Sequence, residues 1–359
     1  MSSDYILRVG VLREKPSISH LDKIDNAMFY MAKQYNIEMF LFALEDVDVD
    51  SKKINAIFLD KTKSVRRITD FPDVIDMKTW TLKNAKKEKY ANALKKLNEN
   101  CLPVRHYFNA GKSHVYDIML KNGTYNNLLI PTYIINEFGD LCRSLNEYDN
   151  HIIVKPKVGI EGAGIHEIHK SQNDYHVSTD KKTTVYTLQA LEELYNDKLY
   201  GGRYVVQPYI HSKTSDGCPF DVRIHARRGG DGKYKIFYYP RIGDKNGIVS
   251  NIASGGYTMD VKTFMSREFG KQSKFVMSEL EKIGKSFPDW FQRFYDKEII
   301  AMGLDIGICR NNDNITLYLF EVNLLYPFAK YFALRVAKLT LEYYWFVYNR
   351  SLCSLALKK

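Results

Sequence analysis

The stretch from Gly303 to Asn323 constrains the fold of this chain more than any other. It reads Gly303-Leu304-Asp305-Ile306-Gly307-Ile308, then a polar turn, Arg310-Asn311-Asn312-Asp313-Asn314, then Leu317-Tyr318-Leu319-Phe320-Glu321-Val322-Asn323. Two apolar runs around an Asn/Asp-rich turn predict a β-hairpin. Three oxygen-bearing side chains interrupt the apolar runs: Asp305 on the first strand, Glu321 and Asn323 on the second. Glu321 and Asn323 are two residues apart and so share a face of their strand. Asp305 can face them across the ladder. A buried carboxylate without a partner is costly. Two carboxylates and an amide oxygen suit a hard cation such as Mg²⁺, which takes oxygen ligands and shares them with a substrate phosphate. The plainer alternative is a hairpin whose polar residues line its wet face.

The chain around this hairpin is 359 residues long, more than one ordinary domain needs, with 45% apolar residues for cores. Two or three packed units are expected. The five cysteines (Cys101, Cys142, Cys218, Cys309, Cys353) are scattered without metal-ligand spacing. They read as reduced thiols of a cytoplasmic protein. The N-terminal residues lack the basic region and apolar core of a signal peptide. Residues 328–357 are rich in aromatic and aliphatic side chains, but Lys330, Arg335, Lys338 and Glu342 interrupt them at helical spacing. That pattern predicts a docked surface helix and no membrane span. The net charge of +10 favours anionic ligands. No zinc finger, RNP motif or basic-aromatic stripe is present, so nucleic acid is not the expected partner.

In chain order, Tyr5 to Leu12 reads as a strand and Leu21 to Gln34 as an amphipathic helix. Strands at Ile37 to Leu44 and Ile54 to Leu59 and a helix at Trp80 to Asn98 follow. Alternating strands and helices predict a small α/β domain with a mostly parallel sheet, ending near Leu102-Pro103. Asn109 is a candidate helix cap that would put Lys112 in the first turn. A lysine there opposes the helix dipole, so it is either a surface residue or kept for an anion. His151 to Ile168 reads as strand, glycine-rich loop, strand, with Lys155 ending an apolar run and Gly159, Gly162 and Gly164 in the loop. Glycines let a backbone approach closely and turn N–H groups toward an anion. The Gly-Lys-Ser/Thr ending of a Walker loop is missing, so this is a hairpin flap. A helix is expected at Thr183 to Tyr195.

Tyr204 to Ile210 reads as a buried strand in which Pro208 removes a ladder donor, marking a place where the chain leaves its sheet. Such a point leaves the backbone groups of Gln207, Pro208, Tyr209 and Ile210 open to an adenine edge. Phe220 to Arg227 alternates apolar and charged residues, with Asp221 and Arg223 on one face as an ion pair or a positioned guanidinium. Lys235 to Arg241 is the return strand. Ser250-Asn251-Ile252-Ala253-Ser254-Gly255-Gly256 is a small-residue loop with Asn251 as a candidate polar contact. Helices are expected at Val261 to Gly284 and Pro288 to Met302.

Lysine strand, glycine flap, Gln-x-Tyr-Ile hinge, Phe-Asp-x-Arg strand, Ser-Asn-x-x-x-Gly-Gly loop and Gly-x-Asp…Glu-x-Asn hairpin occur in one order. Together they resemble the ATP-grasp superfamily, in particular its YheC/YheD-like branch named from endospore-coat-associated proteins. The resemblance covers Phe108 to Asn323. It implies an α/β (α+β) ATP-grasp fold: a pre-ATP-grasp Rossmann-like domain at 1–103, a subdomain with the lysine strand and flap at 104–202, and a subdomain with the metal site at 203–359. It implies that Lys112 and Lys155 hold ATP phosphates, that Gly159, Gly162 and Gly164 form the flap, and that Gln207 to Ile210 read adenine. It further implies that Asp221 and Arg223 line the nucleotide and acceptor site, that Arg241 and Asn251 lie near the γ-phosphate, and that Asp305, Glu321 and Asn323 bind Mg²⁺ (one or two ions, or Mn²⁺).

The implied activity is a carboxylate–amine ligation through an acyl phosphate, releasing ADP and phosphate. The partners would be a small-molecule or peptide carboxylate and an amine, the positive charge pointing to an acidic substrate. A nucleotide-binding coat-type protein without turnover and a kinase acting on a hydroxyl are the alternatives. Three departures stand out. Ser254 replaces a frequent arginine, Leu324-Leu325-Tyr326-Pro327 replaces a short polar turn and implies a bulkier acceptor pocket, and Pro208 replaces a polar hinge residue.

Overall fold

The computed structural model describes residues 5–17, 19, 21–60, 63–78, 88–106, 112–157, 164–179, 182–250, 255–312, 314–324 and 332–356. Three sheets carry the molecule. The first begins with β1 (Leu7–Leu12), whose side chains other than Arg8 are buried, so the strand lies between two covered faces. Helix α1 (Lys23–Met31) follows, capped by Asp22, whose carboxylate accepts from the N–H groups of Ile24 and Asp25 at 2.8 Å. Next come β2 (Ile37–Phe42), β3 (Val47–Asp48), β4 (Lys53–Asp60), β5 (Lys63–Asp70), β6 (Val74–Lys78), α2 (Glu88–Asn100) and β7 (Leu102–His106). The order is β3-β4-β2-β1-β6-β7, with β5 on the free side of β4.

The sequence predicts a mostly parallel sheet. Strands β2, β1, β6 and β7 are parallel, but β3, β4 and β5 are added antiparallel. The physical reason is connection length: a parallel crossover needs a dozen or more residues, and the links around β4 are shorter. Strand β7 carries this sheet on to His106.

Helix α3 (Lys112–Asn122) then crosses to the third sheet, where Val115, Ile118 and Met119 join its core. The second sheet is antiparallel: β8 (Tyr133–Ile134), β9 (His151–Pro156), β10 (His166–Ser171), β11 (Asp174–Thr179), β12 (Lys182–Tyr186) and β13 (Tyr204–Pro208), in the order β12-β11-β10-β9-β13-β8. Helices α4 (Phe138–Glu147) and α5 (Leu188–Leu194) cover one face through Leu141, Leu145 and Leu191. The helix predicted from Thr183 starts only at Leu188. Thr183, Thr184 and Val185 pair with β11 instead, as their branched β-carbons favour.

The third sheet is β14 (Phe220–Arg228), β15 (Tyr234–Ile242), β16 (Ala301–Asn311) and β17 (Asn314–Asn323), ordered β15-β14-β16-β17. The predicted hairpin is β16–β17. Helices α6 (Val261–Phe269) and α7 (Ser273–Gln292) cover its apolar face. The predicted helix break at Pro288 does not occur, because Leu280, Ile283, Phe287 and Phe291 on either side are buried in one core and hold α7 through the proline.

The last helix, α8 (Ala333–Ala356), is the docked helix that the pattern predicts, with Arg335 and Lys338 exposed, but it is covered on two sides: Val336, Ala337, Thr340, Leu341 and Tyr344 are all at most 1% exposed. One side packs on α1 and the first sheet and the other on Phe237 and Tyr239 of β15, in one core. Tyr344 donates to Asp76 of β6 at 2.6 Å, and Trp345 Nε1 donates to the Tyr35 carbonyl at 2.7 Å. Among the described residues no helix is long and apolar enough to cross a membrane.

Candidate active site

Strand β14 divides the third sheet into an apolar and a polar face by simple alternation. Phe220, Val222, Ile224 and Ala226 enter the core under α6 and α7. Asp221, Arg223, His225 and Arg227 point the other way, although each is at most 7% exposed. Phe237 and Tyr239 lie opposite His225 and Arg223 in register, so this polar face is the one turned toward α8.

The sequence left Asp221 and Arg223 open as an ion pair. The structure gives each another partner, because residues directly opposite across a ladder are closer than residues two apart on one strand. Arg223 lies opposite Asp305 and holds both its oxygens, through Nε and, at 3.0 Å, through Nη2. Asp221 lies opposite Arg241, whose Nε and Nη2 donate to it at 2.7 and 2.5 Å. Arg241 Nη2 is also 2.8 Å from Asp305, and Ser250 Oγ donates to Asp221. Two carboxylates and two guanidiniums thus make one compensated network out of water.

Two arginines hold the Asp305 carboxyl below its ordinary pKa against the opposing effect of burial. Burial raises that of Asp221, against the pull of Arg241. Arg241 is raised despite burial, by Asp221 and Asp305.

The register brings Asp305, Glu321 and Asn323 to one end of the β16–β17 ladder. Glu321 lies opposite Asp305, and Asn323 Nδ2 donates to Asp305 Oδ2 at 3.0 Å. A β-bulge between Asp305 and Ile306 makes this possible. Leu317, Leu319 and Val322 all enter the core, so the alternation slips by one residue at Phe320 and Glu321. Phe320 lies over Gly307, where no Cβ would fit.

Among the described residues no three His, Cys, Asp or Glu side chains cluster for a metal. The donor set is therefore two carboxylates completed by the Asn323 amide. All its donors can be oxygens, the kind a hard cation takes, once the amide turns its carbonyl inward, but both Asp305 oxygens also carry Arg223 and one carries Arg241.

The nucleotide candidates lie on the second sheet. Lys155 stands opposite Val205, and Gln207 opposite Ile153, so Lys155 and Gln207 share the face turned away from that sheet's core. Gln207 Nε2 donates to Thr132 Oγ1 at 2.6 Å. Pro208 ends β13, as its missing N–H requires. Two of the backbone groups expected to be open for adenine are engaged: Tyr209 N–H donates to the His151 carbonyl at 3.0 Å, and the Ile210 carbonyl accepts from Ser212 N–H at 2.8 Å. The Tyr209 ring stacks on His151 at 3.8 Å. Gly164 adopts φ +75°, where a side chain would be strained.

Lys112 begins α3, with its side chain outside the described residues. Gly159, Gly162, Asn251, Ser254 and Leu325 to Pro327 also lie outside them. Leu324 is buried in the core under α7 and so does not bulk out an acceptor pocket. Sequence reasoning missed Ser250, one residue before Asn251. It also passed over His225 and Arg227, which the alternation in β14 places beside Arg223.

A family model described as YheC/D like ATP-grasp matches residues 102–343. The chain belongs to the YheC/D-like ATP-grasp family. Its similarity extends to the endospore coat-associated protein YheC of Bacillus subtilis strain 168, 20% identical over 301 residues and 81% of each chain. Among solved structures, the ATP-grasp ligase PsnB, complexed with a phosphomimetic variant of its minimal precursor, Mg and ADP, aligns over 96% of this chain and 97% of its own. Its identity is 10% and its TM-score 0.49. D-cycloserine synthetase DcsG aligns over 94% and 99%, with 13% identity and a TM-score of 0.45. The ATP-grasp fold expected from the motifs is thus the fold of this family.

Proposed function

We propose that this chain is an ATP-dependent carboxylate–amine ligase. The observation that carries this reading is the buried Asp221–Arg241–Asp305–Arg223 network, with Glu321 and Asn323 at its edge. Such an array has little use in a merely packed sheet and suits phosphoryl transfer, which needs positioning and charge neutralisation. Among the described residues both guanidiniums make their contacts through Nε and Nη2, so Nη1 of each is the atom offered to an oxyanion.

In the proposed reaction a substrate carboxylate oxygen attacks the γ-phosphorus of ATP, the bond to the β,γ-bridging oxygen breaks, and ADP leaves. An amine then attacks the acyl carbon, loses a proton, and phosphate departs as the amide forms. Arg223 and Arg241 stabilise the transferring group and then the tetrahedral oxyanion. Lys155 and Lys112 hold phosphate oxygens, Gly159, Gly162 and Gly164 supply the flap, and Gln207 to Ile210 border the adenine. Asn251 is assigned to the γ-phosphate by the family resemblance. Asp305, Glu321 and Asn323 would hold Mg²⁺, which when bound neutralises phosphate charge.

The test is phosphate release from ATP across pools of carboxylates and amines, with the product weighed by mass spectrometry. An amide with ADP and phosphate is expected; AMP with pyrophosphate would refute the acyl-phosphate scheme, and a phosphate ester would identify a kinase. Glu321→Gln should abolish turnover and leave the melting temperature within about 2 °C, since the change keeps the shape and hydrogen-bonding capacity of a partly buried side chain. The name of the Bacillus subtilis relative supports a second reading, a coat-associated nucleotide binder without turnover. Nucleotide binding with no phosphate release from any pool would favour it.

A further inference from the structure

The polar stripe of β14 continues beyond the network. Asp221 is saturated and Arg223 is held by Asp305 through Nε and Nη2, but the next two side chains on that face carry orphaned atoms. His225 is 0% exposed with neither ring nitrogen hydrogen-bonded, and Arg227 is 2% exposed with no partner for its Nε. Buried polar groups are nearly always paired, so the two His225 nitrogens and the Arg227 Nε are exceptions that call for a partner.

Arg335 of α8 adds a second cation. It is exposed, sits 4.8 Å over the Phe237 ring, and among the described residues forms no ion pair. Phe237 stacks on His225 at 4.4 Å, and Phe332 meets both Phe237 and Tyr239, at 5.2 and 5.4 Å. Two cations, a histidine and three aromatic rings thus gather next to Arg223. Burial, reinforced by Arg227, Arg223 and Arg335, keeps His225 neutral, so it offers one N–H.

We propose that His225, Arg227 and Arg335, walled by Phe237, Tyr239 and Phe332, bind a second, non-reacting carboxylate of the acid substrate, which is a dicarboxylic acid with a flat apolar body. The proposal rests on the ligase reading for its first carboxylate, at Arg223 and Arg241. Successive same-face residues of a strand lie about 7 Å apart, so the two carboxylates need a spacer of that order.

A suitable probe is 4-carboxyphenylacetate, with phenylacetate as its one-carboxylate counterpart. Both are titrated calorimetrically into the full-length protein, with and without AMPPNP and Mg²⁺. The dicarboxylate should bind at least about tenfold tighter, the effect of one charge-assisted contact. Arg227→Gln and Arg335→Ala should each remove most of that preference. Arg335 is exposed, so its variant stays folded even if the Arg227 variant does not. Equal binding of the two acids, or a preference undiminished by Arg335→Ala, overturns the proposal. Failure of AMPPNP to bind would instead count against the ligase reading, while a preference seen without nucleotide and lost in Arg335→Ala would still support the subsite.

Discussion

Gly307→Ala tests the bulge on which the site geometry depends. A Cβ built on Gly307 falls 2.5 and 2.6 Å from the two Cε atoms of Phe320 and closer still to its Cζ. Carbon atoms rest at about 3.5–4.0 Å, so the ring must retreat by about 1 Å or more. Overpacking of this kind costs about 1–3 kcal/mol. Phe320 adjoins Glu321, so the retreat should also shift the carboxylate; a misplacement of about 1 Å lowers turnover by about a hundredfold.

The assay is hydrogen exchange of the peptides spanning 301–323, which reads the opening free energy of β16 and β17 locally. Phe320→Ala removes the obstruction, so the double variant should be no less protected than Phe320→Ala alone. That corresponds to a coupling of about 1–3 kcal/mol in favour of the pair. Protection of Gly307→Ala within about 0.5 kcal/mol of the parent, or no recovery in the double variant, would refute the close approach and the bulge built on it.

Three further outcomes are expected. Asp305→Asn leaves two buried guanidiniums facing one carboxylate and should cost about 3–5 kcal/mol in urea unfolding; a loss below about 1 kcal/mol would mean that water screens the network. Tyr344→Phe deletes the 2.6 Å bond to Asp76 and should cost about 1–3 kcal/mol; faster proteolytic release of α8 checks it. Burial first, and then the neighbouring arginines, depress the His225 pKa well below 6.5. The unfolded chain therefore binds the extra proton, so the His225 contribution is complete above about pH 6.5 and declines below it by about 1.4 kcal/mol per pH unit. His225→Asn should reduce the acid-side slope of stability by that amount, and an unchanged slope would show that the ring is already hydrated.

The sequence by itself determined what alternation can encode. Asp305, Glu321 and Asn323 stand on neighbouring apolar strands, so the hairpin and its polar face were legible before any contact was known. The same holds for the lysine-ended strand β9 and for Pro208 at the end of β13, because a proline cannot donate to a ladder. Tertiary structure alone decided the rest. Asp221 pairs with Arg241 and Arg223 with Asp305 because cross-strand register brings them together, and register depends on the whole sheet. The bulge at Phe320 depends on Gly307, which only pairing places beneath the ring. Helix α8 reads as amphipathic in isolation, and only the fold decides that two sheets, distant in sequence, close on its sides and leave an edge with Arg335 and Lys338 exposed. Periodicity along one strand is a local property, whereas partners across a ladder and faces buried by a third element are set by contacts that the local sequence does not contain.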